Sequence, residues 1–251
     1  MKVLVTIKRT PHRDARMRLA PDGRLVAGDD LKYEVNPFDE LAIEEALRIQ
    51  ERLSDRGVET VAVTIGGEES KQQLLTALAM GIDRAIRVDT SESLDGLQVA
   101  KCLASVVKRE APDLVLTGKL AVDDENSQIP SMMAALLGWP QANQASKIEF
   151  LSETGVRVTC EVDSGMDEVD LELPAVVTAD LRLNEPRYAS LPGIMKAKKK
   201  PLVVLAPDSL DDVGSQRAQV VTYRSLPPKE KGIIVDSAAE LVKALVDRKL
   251  I

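Results

Sequence analysis

Histidine and cysteine are scarce in this sequence, which limits the chemistry that its side chains could carry out. The one histidine, His12, stands in a polar segment, and the two cysteines, Cys102 and Cys160, lie far apart with no pairing motif. A zinc site of cysteines and histidines needs more ligands than these, and a catalytic triad would have to use His12. We therefore expect no metal site, no catalytic residue, an exposed loop histidine, and reduced thiols as in a cytoplasmic protein.

Aromatic residues and positive charge are scarce as well. The 251 residues include one Trp, two Phe and three Tyr, and 33 Lys and Arg stand against 40 Asp and Glu, for a net charge of −7. Nucleic-acid binding needs cations for the phosphates and aromatic surfaces for the bases. Long apolar runs are also missing, since none approaches the roughly 18 residues of a membrane span. The first residues, Met1–Val5, resemble a strand and not a signal peptide. We expect neither nucleic-acid binding nor membrane insertion.

The sequence does contain a regular alternation of apolar strand-like runs and helical segments. Continuous apolar runs, typical of strands buried on both faces, occupy 3–7, 60–65, 84–88 and 114–117. Segments with helical character follow at 39–52, 69–80, 97–110 and 128–137. This alternation with short connections predicts an α/β fold, namely a doubly wound, mostly parallel, Rossmann-like sheet with helices on both faces.

After residue 140 the pattern changes. Segments 148–151, 156–162 and 169–173 predict an antiparallel insertion, and 175–179 returns to the buried-strand type. The stretch 181–201 has neither period and is predicted to be extended, with strands following at 202–205 and 219–222. The rest has a proline-rich linker and a capped helix over 237–248, but too few apolar residues for its own core. We expect a domain over 1–225 and a C-terminal arm over 226–251 that packs on a partner.

Ligands of doubly wound sheets bind at the carboxyl ends of the strands. Four segments are predicted to reach this edge: Thr6–Lys8, Asn36–Asp39, Ile65–Gly67 and Gly118–Gln128. Gly118 would let the backbone approach a ligand, and the helix beginning at Ser127 and Gln128 would favour an anion such as phosphate. The neighbouring carboxylates oppose this, and the sequence has neither a Walker motif nor Gly-x-Gly-x-x-Gly. From the residues alone, an ordinary acidic loop remains the alternative.

The stretch 181–201 places apolar side chains among arginines and lysines. Prolines at 186 and 192 keep it out of regular structure, and Leu191, Ile194 and Met195 are apolar in an otherwise polar segment. Such a loop suits a protein-docking surface. It could equally fold these three side chains back onto its own domain, and both interpretations stay open on physical grounds.

Residues 180–200 closely resemble the signature of the β subunit of electron transfer flavoproteins. The resemblance continues in order along nearly the whole chain, at 3–9, 36–38, 44–46, 76–85, 118–119, 123–124, 138–141, 145–147 and 173–178. It implies a carrier with no bond-making chemistry of its own, paired with an α subunit that holds most of a shared FAD. Electrons would come from FAD-containing dehydrogenases of the acyl-CoA type, in fatty acid oxidation, and pass to a membrane quinone oxidoreductase.

The resemblance also implies functional residues. A buried AMP is implied at the strand ends chosen above, by Thr6, Asn36, Pro37, Phe38, Asp39, Ile65, Gly118, Lys119, Asp123, Asp124, Glu125, Asn126, Ser127, Gln128 and Ile129. The implied contacts with dehydrogenases are Arg187, Tyr188, Leu191, Pro192, Ile194 and Met195, with Leu191 as the anchor. Glu161 resembles a carboxylate that pairs with the flavin domain of the α subunit.

Three places in the chain depart from the family pattern. Ser127–Ser131 replaces the usual Asn-Gln-Thr-Gly-Gln, Asp39 stands where cysteine is common, and Gly193 replaces an asparagine. An acidic residue at position 39 also occurs in electron-bifurcating relatives that carry a second FAD in place of AMP, although the intact 181–201 segment argues against that alternative. A stand-alone adenine-nucleotide-binding domain is a further alternative, disfavoured by the missing phosphate motif.

Overall fold

The computed structural model describes residues 1–12, 14–15, 18–19, 25–26, 31–211, 213–224, 226–229 and 231–251. The chain divides into two compact units. The larger one contains Met1–Arg16 and Ala27–Val220, and the smaller one contains Met17–Val26 and Val221–Ile251. Residues 13, 16–17, 20–24, 27–30, 212, 225 and 230 lie outside the described part of the chain.

The described residues form thirteen strands and six α-helices. The strands are β1 (Lys2–Thr6), β2 (Arg9–Pro11), β3 (Arg18–Leu19), β4 (Leu25–Val26), β5 (Tyr33–Val35), β6 (Glu59–Ile65), β7 (Arg84–Val88), β8 (Leu114–Gly118), β9 (Gln141–Phe150), β10 (Gly155–Val162), β11 (Gly165–Glu172), β12 (Ala175–Ala179) and β13 (Leu202–Leu205). The helices are α1 (Pro37–Arg52), α2 (Lys71–Met80), α3 (Gly96–Glu110), α4 (Ile129–Leu137), α5 (Leu191–Ala197) and α6 (Ala238–Asp247).

Nine of the described strands form one sheet in the order β11-β10-β9-β12-β8-β1-β6-β7-β13. The pairs from β9 through β12, β8, β1, β6 and β7 to β13 are all parallel. β10 pairs antiparallel with both β9 and β11, which is the predicted insertion. The chain runs from β1 outward to β6 and β7 and then returns to β8 on the other side, so the strand order reverses between β1 and β8. The predicted doubly wound, mostly parallel sheet is confirmed.

Helices cover both faces of the sheet, as predicted. Side chains of β1 alternate between two apolar clusters, because successive residues of a strand point to opposite faces. Val3 and Val5 pack in one cluster with residues of α1 and α2, and Leu4 packs in the other with residues of α3 and α4. Buried aliphatic side chains on both faces explain why the central strands are continuous apolar runs.

Two predicted elements are wrong. Residues 191–197 form the short helix α5, in which Ser190 Oγ accepts a hydrogen bond from Gly193 N at 3.1 Å and Pro192 occupies the first turn. Proline is compatible with a first helical turn, where no N–H is needed. Residues 219–222 are all described, and they are exposed and form no strand. Val220 and Val221 are 63% and 93% exposed, so two adjacent apolar residues did not mark a buried strand here.

Asp39 joins the start of α1 to the ends of two strands. Its Oδ2 accepts a hydrogen bond from Lys8 N at 2.7 Å, just beyond β1, and its Oδ1 accepts one from Gly118 N at 3.0 Å, at the end of β8. Asn36 adds a second link, because its Nδ2 donates to Leu120 O at 2.8 Å and its Oδ1 accepts from Val122 N at 3.1 Å. The buried amide groups at this edge are thereby satisfied by α1.

Gly118→Ala should destabilise the protein, because α1 approaches this residue closely. A Cβ at position 118 would lie 2.5 Å from Asp39 Oδ1 and 2.9 Å from the carbonyl carbon of Phe38. Forcing a methyl group into this contact should cost roughly 1–3 kcal/mol of unfolding free energy, measured by urea denaturation. Gly96→Ala is the control, since a Cβ there meets its nearest neighbour at 3.5 Å. Equal stability of the two variants would contradict the close approach.

Asp39 should also make stability depend on pH. Burial raises the pKa of Asp39 to about 7, outweighing the hydrogen bonds that it accepts. The unfolded chain releases this proton near pH 4, so the free energy of unfolding should fall as pH rises from about 4 to about 7. Chemical denaturation of the protein and of Asp39→Asn across this range isolates the effect, which should reach a few kcal/mol. If instead the protein became more stable relative to Asp39→Asn as pH rises, the hydrogen bonds to Asp39 would outweigh its burial.

Candidate functional site

The predicted nucleotide-site residues gather where the strand order reverses. Thr6 ends β1, Ile65 ends β6, and both are half-buried, while Gly118 ends β8. The start of α1, Asn36–Asp39, lies between these ends through the hydrogen bonds described above. This edge is the place where doubly wound sheets bind ligands.

Lys8 neutralises part of the acidic loop. Its Nζ lies 2.7 Å from Asp123 Oδ1 and 2.9 Å from Asp124 Oδ2. Burial lowers the pKa of Lys8, but the two carboxylates outweigh it and the pKa is raised, so the lysine is charged. Lys8 therefore compensates one of the three acidic charges, Asp123, Asp124 and Glu125, that opposed an anion in the sequence. The segment Thr6–Lys8 was predicted to reach this edge, but Lys8 itself was not among the predicted nucleotide-site residues.

The loop from Glu125 to Gln128 is exposed and leads into α4. Glu125 and Ser127 both adopt left-handed backbone conformations, with φ of 50° and 52°. Asn126 N donates to Asp124 Oδ1 at 3.2 Å. Within the described part of the chain, the Gln128 side chain does not cap α4, and Ile129 is the first residue of that helix. The first-turn N–H groups of α4 therefore have no side-chain acceptor there, which is the arrangement that suits an anion.

Two other predicted residues serve the fold at this edge. The space above Gly118 is filled by Phe38 and Asp39, so this glycine admits α1 and not a ligand. Lys119 Nζ lies 2.8 Å from Asp180 Oδ2, beyond the end of β12, and 5.2 Å from the centre of the Phe38 ring. The lysine charge is thus already balanced by a buried aspartate.

A cavity of about 750 Å³ opens beside this site, at the ends of β6, β7 and β13. Gln98 and Cys102 line it together with six acidic residues, namely Glu68, Glu69, Asp89, Glu92, Asp208 and Asp211. A lining of this charge repels phosphate. The cavity does not contain the predicted nucleotide-site residues and contributes nothing to that assignment.

The segment 181–201 displays apolar side chains. Leu191 is 79% exposed, Met195 75% and Tyr188 98%, and Pro192 and Ile194 are also exposed. Of the two interpretations that the sequence left open, the structure favours display of these side chains over burial in the domain. A cluster of exposed apolar groups on one short helix is typical of a protein-binding surface.

Polar contacts fix the start of this segment to α1. Arg187 Nε lies 2.8 Å from Glu44 Oε2, and Arg187 Nη1 lies 2.6 Å from Glu51 Oε1. Three residues earlier, Asn184 Nδ2 donates to Leu41 O at 3.0 Å and to Glu45 Oε2 at 3.1 Å. Arg187, which the resemblance assigned to partner contacts, is engaged within this chain.

Other contacts fix the end of the segment to α2. Lys200 Nζ donates to Gly81 O at 2.8 Å and to Ile82 O at 2.6 Å, just past the end of α2. A Cβ on Gly193 would overlap the Ala79 carbonyl oxygen, so the glycine at this family-variable position lets α5 lie directly against α2. The exposed apolar residues are therefore presented between two anchored ends.

Glu44 and Glu45 were missed by sequence reasoning. Their helical spacing put them on the polar face of α1, but they are 3% and 4% exposed because the segment after Asp180 covers them. Arg48 Nε lies 2.8 Å from Glu44 Oε1, and Arg52 pairs with Glu45. A signal was present in the sequence. Two adjacent carboxylates lie in the family motif 44–46, and Asn184 and Arg187, which could bind them, lie in the family motif 180–200.

Glu161 has a partner within the chain. Arg182 Nε lies 3.1 Å from its Oε1, and Arg182 itself is largely exposed. The arginine lies just after β12, and Glu161 lies near the end of β10. The pair places Glu161 beside the start of the segment 181–201. The contact of Glu161 with a flavin domain of the α subunit, which the resemblance implies, stays a prediction.

The remaining predictions concern groups outside this site. Both cysteines are buried free thiols, as expected, and burial raises the pKa of Cys102 and of Cys160, which keeps them protonated. His12 is partly exposed, with its Nε2 3.4 Å from Glu34 Oε2. The described ranges contain neither a cluster of metal-binding side chains nor a helix long and apolar enough to cross a membrane.

Comparison with known proteins identifies the family. The model of the electron transfer flavoprotein domain matches residues 24–210. The chain is 41% identical over 251 residues to the electron transfer flavoprotein subunit beta of Dictyostelium discoideum, covering 100% of this chain and 99% of that protein. It is 45% identical over 248 residues to the subunit beta of Bradyrhizobium diazoefficiens, covering 98% and 97% of the two chains. It is also 45% identical over 250 residues to the mitochondrial subunit beta of Oryza sativa subsp. japonica, again covering 98% and 97%. The chain therefore belongs to the electron transfer flavoprotein family, among its β subunits.

Proposed function

We propose that this chain is the β subunit of a heterodimeric electron carrier and catalyses no bond-making reaction itself. The observation that carries the proposal is Leu191, an apolar side chain 79% exposed in a segment fixed at both ends. FAD, held mainly by the α subunit, supplies the redox chemistry, and this chain supplies position and a docking surface. Dehydrogenases of the acyl-CoA type, themselves containing FAD, would donate the electrons, and a membrane quinone oxidoreductase would receive them.

The nucleotide proposed for this chain is AMP at the edge between β1 and β8. Its phosphate would be held by the first turn of α4, whose N–H groups lack a side-chain acceptor, and by the loop 125–129, beside which Lys8 offsets one of the acidic charges. Thr6, Asn36–Phe38 and Ile65 would contact the rest of the nucleotide. Asp39 is proposed to position these residues, because both of its oxygens already accept backbone hydrogen bonds. The intact 181–201 segment favours AMP over a second FAD in this site.

The α-subunit partner is proposed to cover the C-terminal arm. In the smaller unit, Ser237 caps the start of α6, and its Oγ accepts a hydrogen bond from Glu240 N at 3.2 Å. Leu241, Val242 and Val246 of this helix are each about half exposed. Apolar helix faces of this kind are covered in stable proteins.

We place the chain in the cytoplasm; the rice relative is named a mitochondrial protein.

The nucleotide content of the purified complex tests this assignment. The chain co-expressed with its α subunit should purify as a one-to-one complex, and denaturation should release one FAD and one AMP per complex, quantified by mass spectrometry. Removal of AMP should lower the melting temperature, because a ligand that binds only the folded state stabilises it. Release of two FAD molecules and no AMP would favour the electron-bifurcating alternative. A stable monomer that ignores the α subunit would contradict the proposal.

Leu191→Ala tests the docking surface. Truncating a central apolar anchor typically costs on the order of 2 kcal/mol, about thirtyfold in affinity, so electron transfer from a purified acyl-CoA dehydrogenase should weaken by about that factor. The melting temperature and the flavin content should not change, since the side chain is exposed. Leu151→Ala, at a residue 53% exposed in another part of the larger unit, is the matched control. A large loss of stability with unaltered kinetics would refute docking through Leu191.

A further inference from the structure

One face of α1 receives the chain that leads to Leu191. Counting along the helix, Leu41 O and Glu45 accept from Asn184, Arg48 Nη2 donates to Glu185 O at 3.2 Å, and Glu44 and Glu51 pair with Arg187. These helix positions recur every three or four residues and so share one face. The segment is therefore aligned along about three turns of a helix whose start is fixed by Asp39.

Arg187 is the part of this contact that best fixes a position. Its guanidinium bonds Glu44 through Nε and Nη2 and bonds Glu51 through Nη1 and Nη2, and its own backbone N–H donates to Glu44 Oε2 at 3.1 Å. The planar fork of arginine makes such paired contacts directional. Glu44 is buried, and although burial raises its pKa, the bonds from Arg187 and Arg48 outweigh that effect and lower it. A buried carboxylate held in its charged form requires its cationic partners to stay in place.

We infer that Arg187 is a positioning residue for the docking of partner dehydrogenases, acting through Leu191; this inference rests on the proposed docking function. Only residues 188–190 separate Arg187 from the first residue of α5. The far end of the segment is held independently by Lys200 on the carbonyls past α2. Loss of Arg187 therefore frees the residues between Glu185 and α5, while Asn184 and Arg48 still hold the chain before them and Lys200 holds the end of the segment. Binding a partner must then pay the ordering entropy that the ion pairs otherwise remove in advance.

An electrostatic attraction of the partner by Arg187 is the competing explanation. The structure disfavours it, because the guanidinium is already paired with Glu44 and Glu51, and together with Arg48 these groups have no net charge. The two explanations differ in one measurable respect. Positioning acts through Leu191, so its effect disappears once Leu191 is truncated, whereas attraction by charge persists in that background.

The experiment uses the complex with the α subunit and a purified acyl-CoA dehydrogenase reduced by an acyl-CoA. Arg187→Gln should raise KM for the complex about tenfold, leave kcat within about twofold, and speed amide hydrogen exchange of residues 188–197 at least severalfold. Arg157→Gln is the matched control, because it removes a similar arginine pair, with Asp170 on the neighbouring strand, at 2.7 Å between Nε and Oδ1. Arg157→Gln should change neither KM nor the amide hydrogen exchange of residues 188–197.

Two further variants make every outcome decisive. Arg187→Gln combined with Leu191→Ala should bind no more weakly than Leu191→Ala alone; additive losses would overturn the inference in favour of charge attraction. Should Arg187→Gln lower the melting temperature, Glu51→Gln breaks only the exposed half of the pair, and it should still raise KM about threefold with faster exchange at 188–197. Unchanged KM and exchange in Glu51→Gln would overturn the inference. Failure of the docking function itself is distinguishable, because Leu191→Ala would then leave KM unchanged while Arg187→Gln still accelerated exchange.

Discussion

The hydrogen bonds of Asp39 hold helix α1 against the ends of β1 and β8, and both functional regions depend on that placement. The first turn of α1 contributes Asn36–Asp39 to the proposed nucleotide site. The following turns receive Asn184 and Arg187, which lead to the exposed Leu191. A helix is stiff over such a length, so a single buried carboxylate at its start sets the position of residues on two different surfaces. The close approach at Gly118 is a consequence of the same placement.

Buried charge is the cost of this arrangement. Glu44 and Glu45 lie under the segment after Asp180, where burial raises the pKa of Glu45 above its ordinary value despite the charge of Arg52. Apolar residues of similar volume would often be at least as stabilising as a buried ion pair. The carboxylates instead provide directional contacts, which fix the segment in one register along α1. That is an advantage where an exposed leucine must be presented in a defined place.

The predicted fold succeeded where one periodicity dominated. β7 and β12 begin and end at the predicted residues, because their apolar runs are buried on both faces and flanked by polar residues. The period failed for α5, whose seven residues include Pro192 and Gly193 and bury one alanine, so no apolar stripe marks the helix. It also failed for 219–222, where the adjacent Val220 and Val221 indicated a strand but both side chains are exposed. The sequence could not decide whether Leu191 is exposed, because an apolar loop residue is equally compatible with burial.

The sequence by itself determined the layered α/β architecture, the family, and the set of strand ends that meet at one edge of the sheet. These follow from local periodicity and from motifs that are contiguous in the chain. Only the tertiary structure decided the partners of the charged residues. Arg187 and Glu44 are 143 positions apart, Lys119 and Asp180 are 61 apart, and Lys8 and Asp123 are 115 apart. Each of these residues is polar and was compatible with a solvated position. Burial and pairing arise only when distant segments meet, because the free energy of a charge depends on its surroundings and not on its neighbours in sequence.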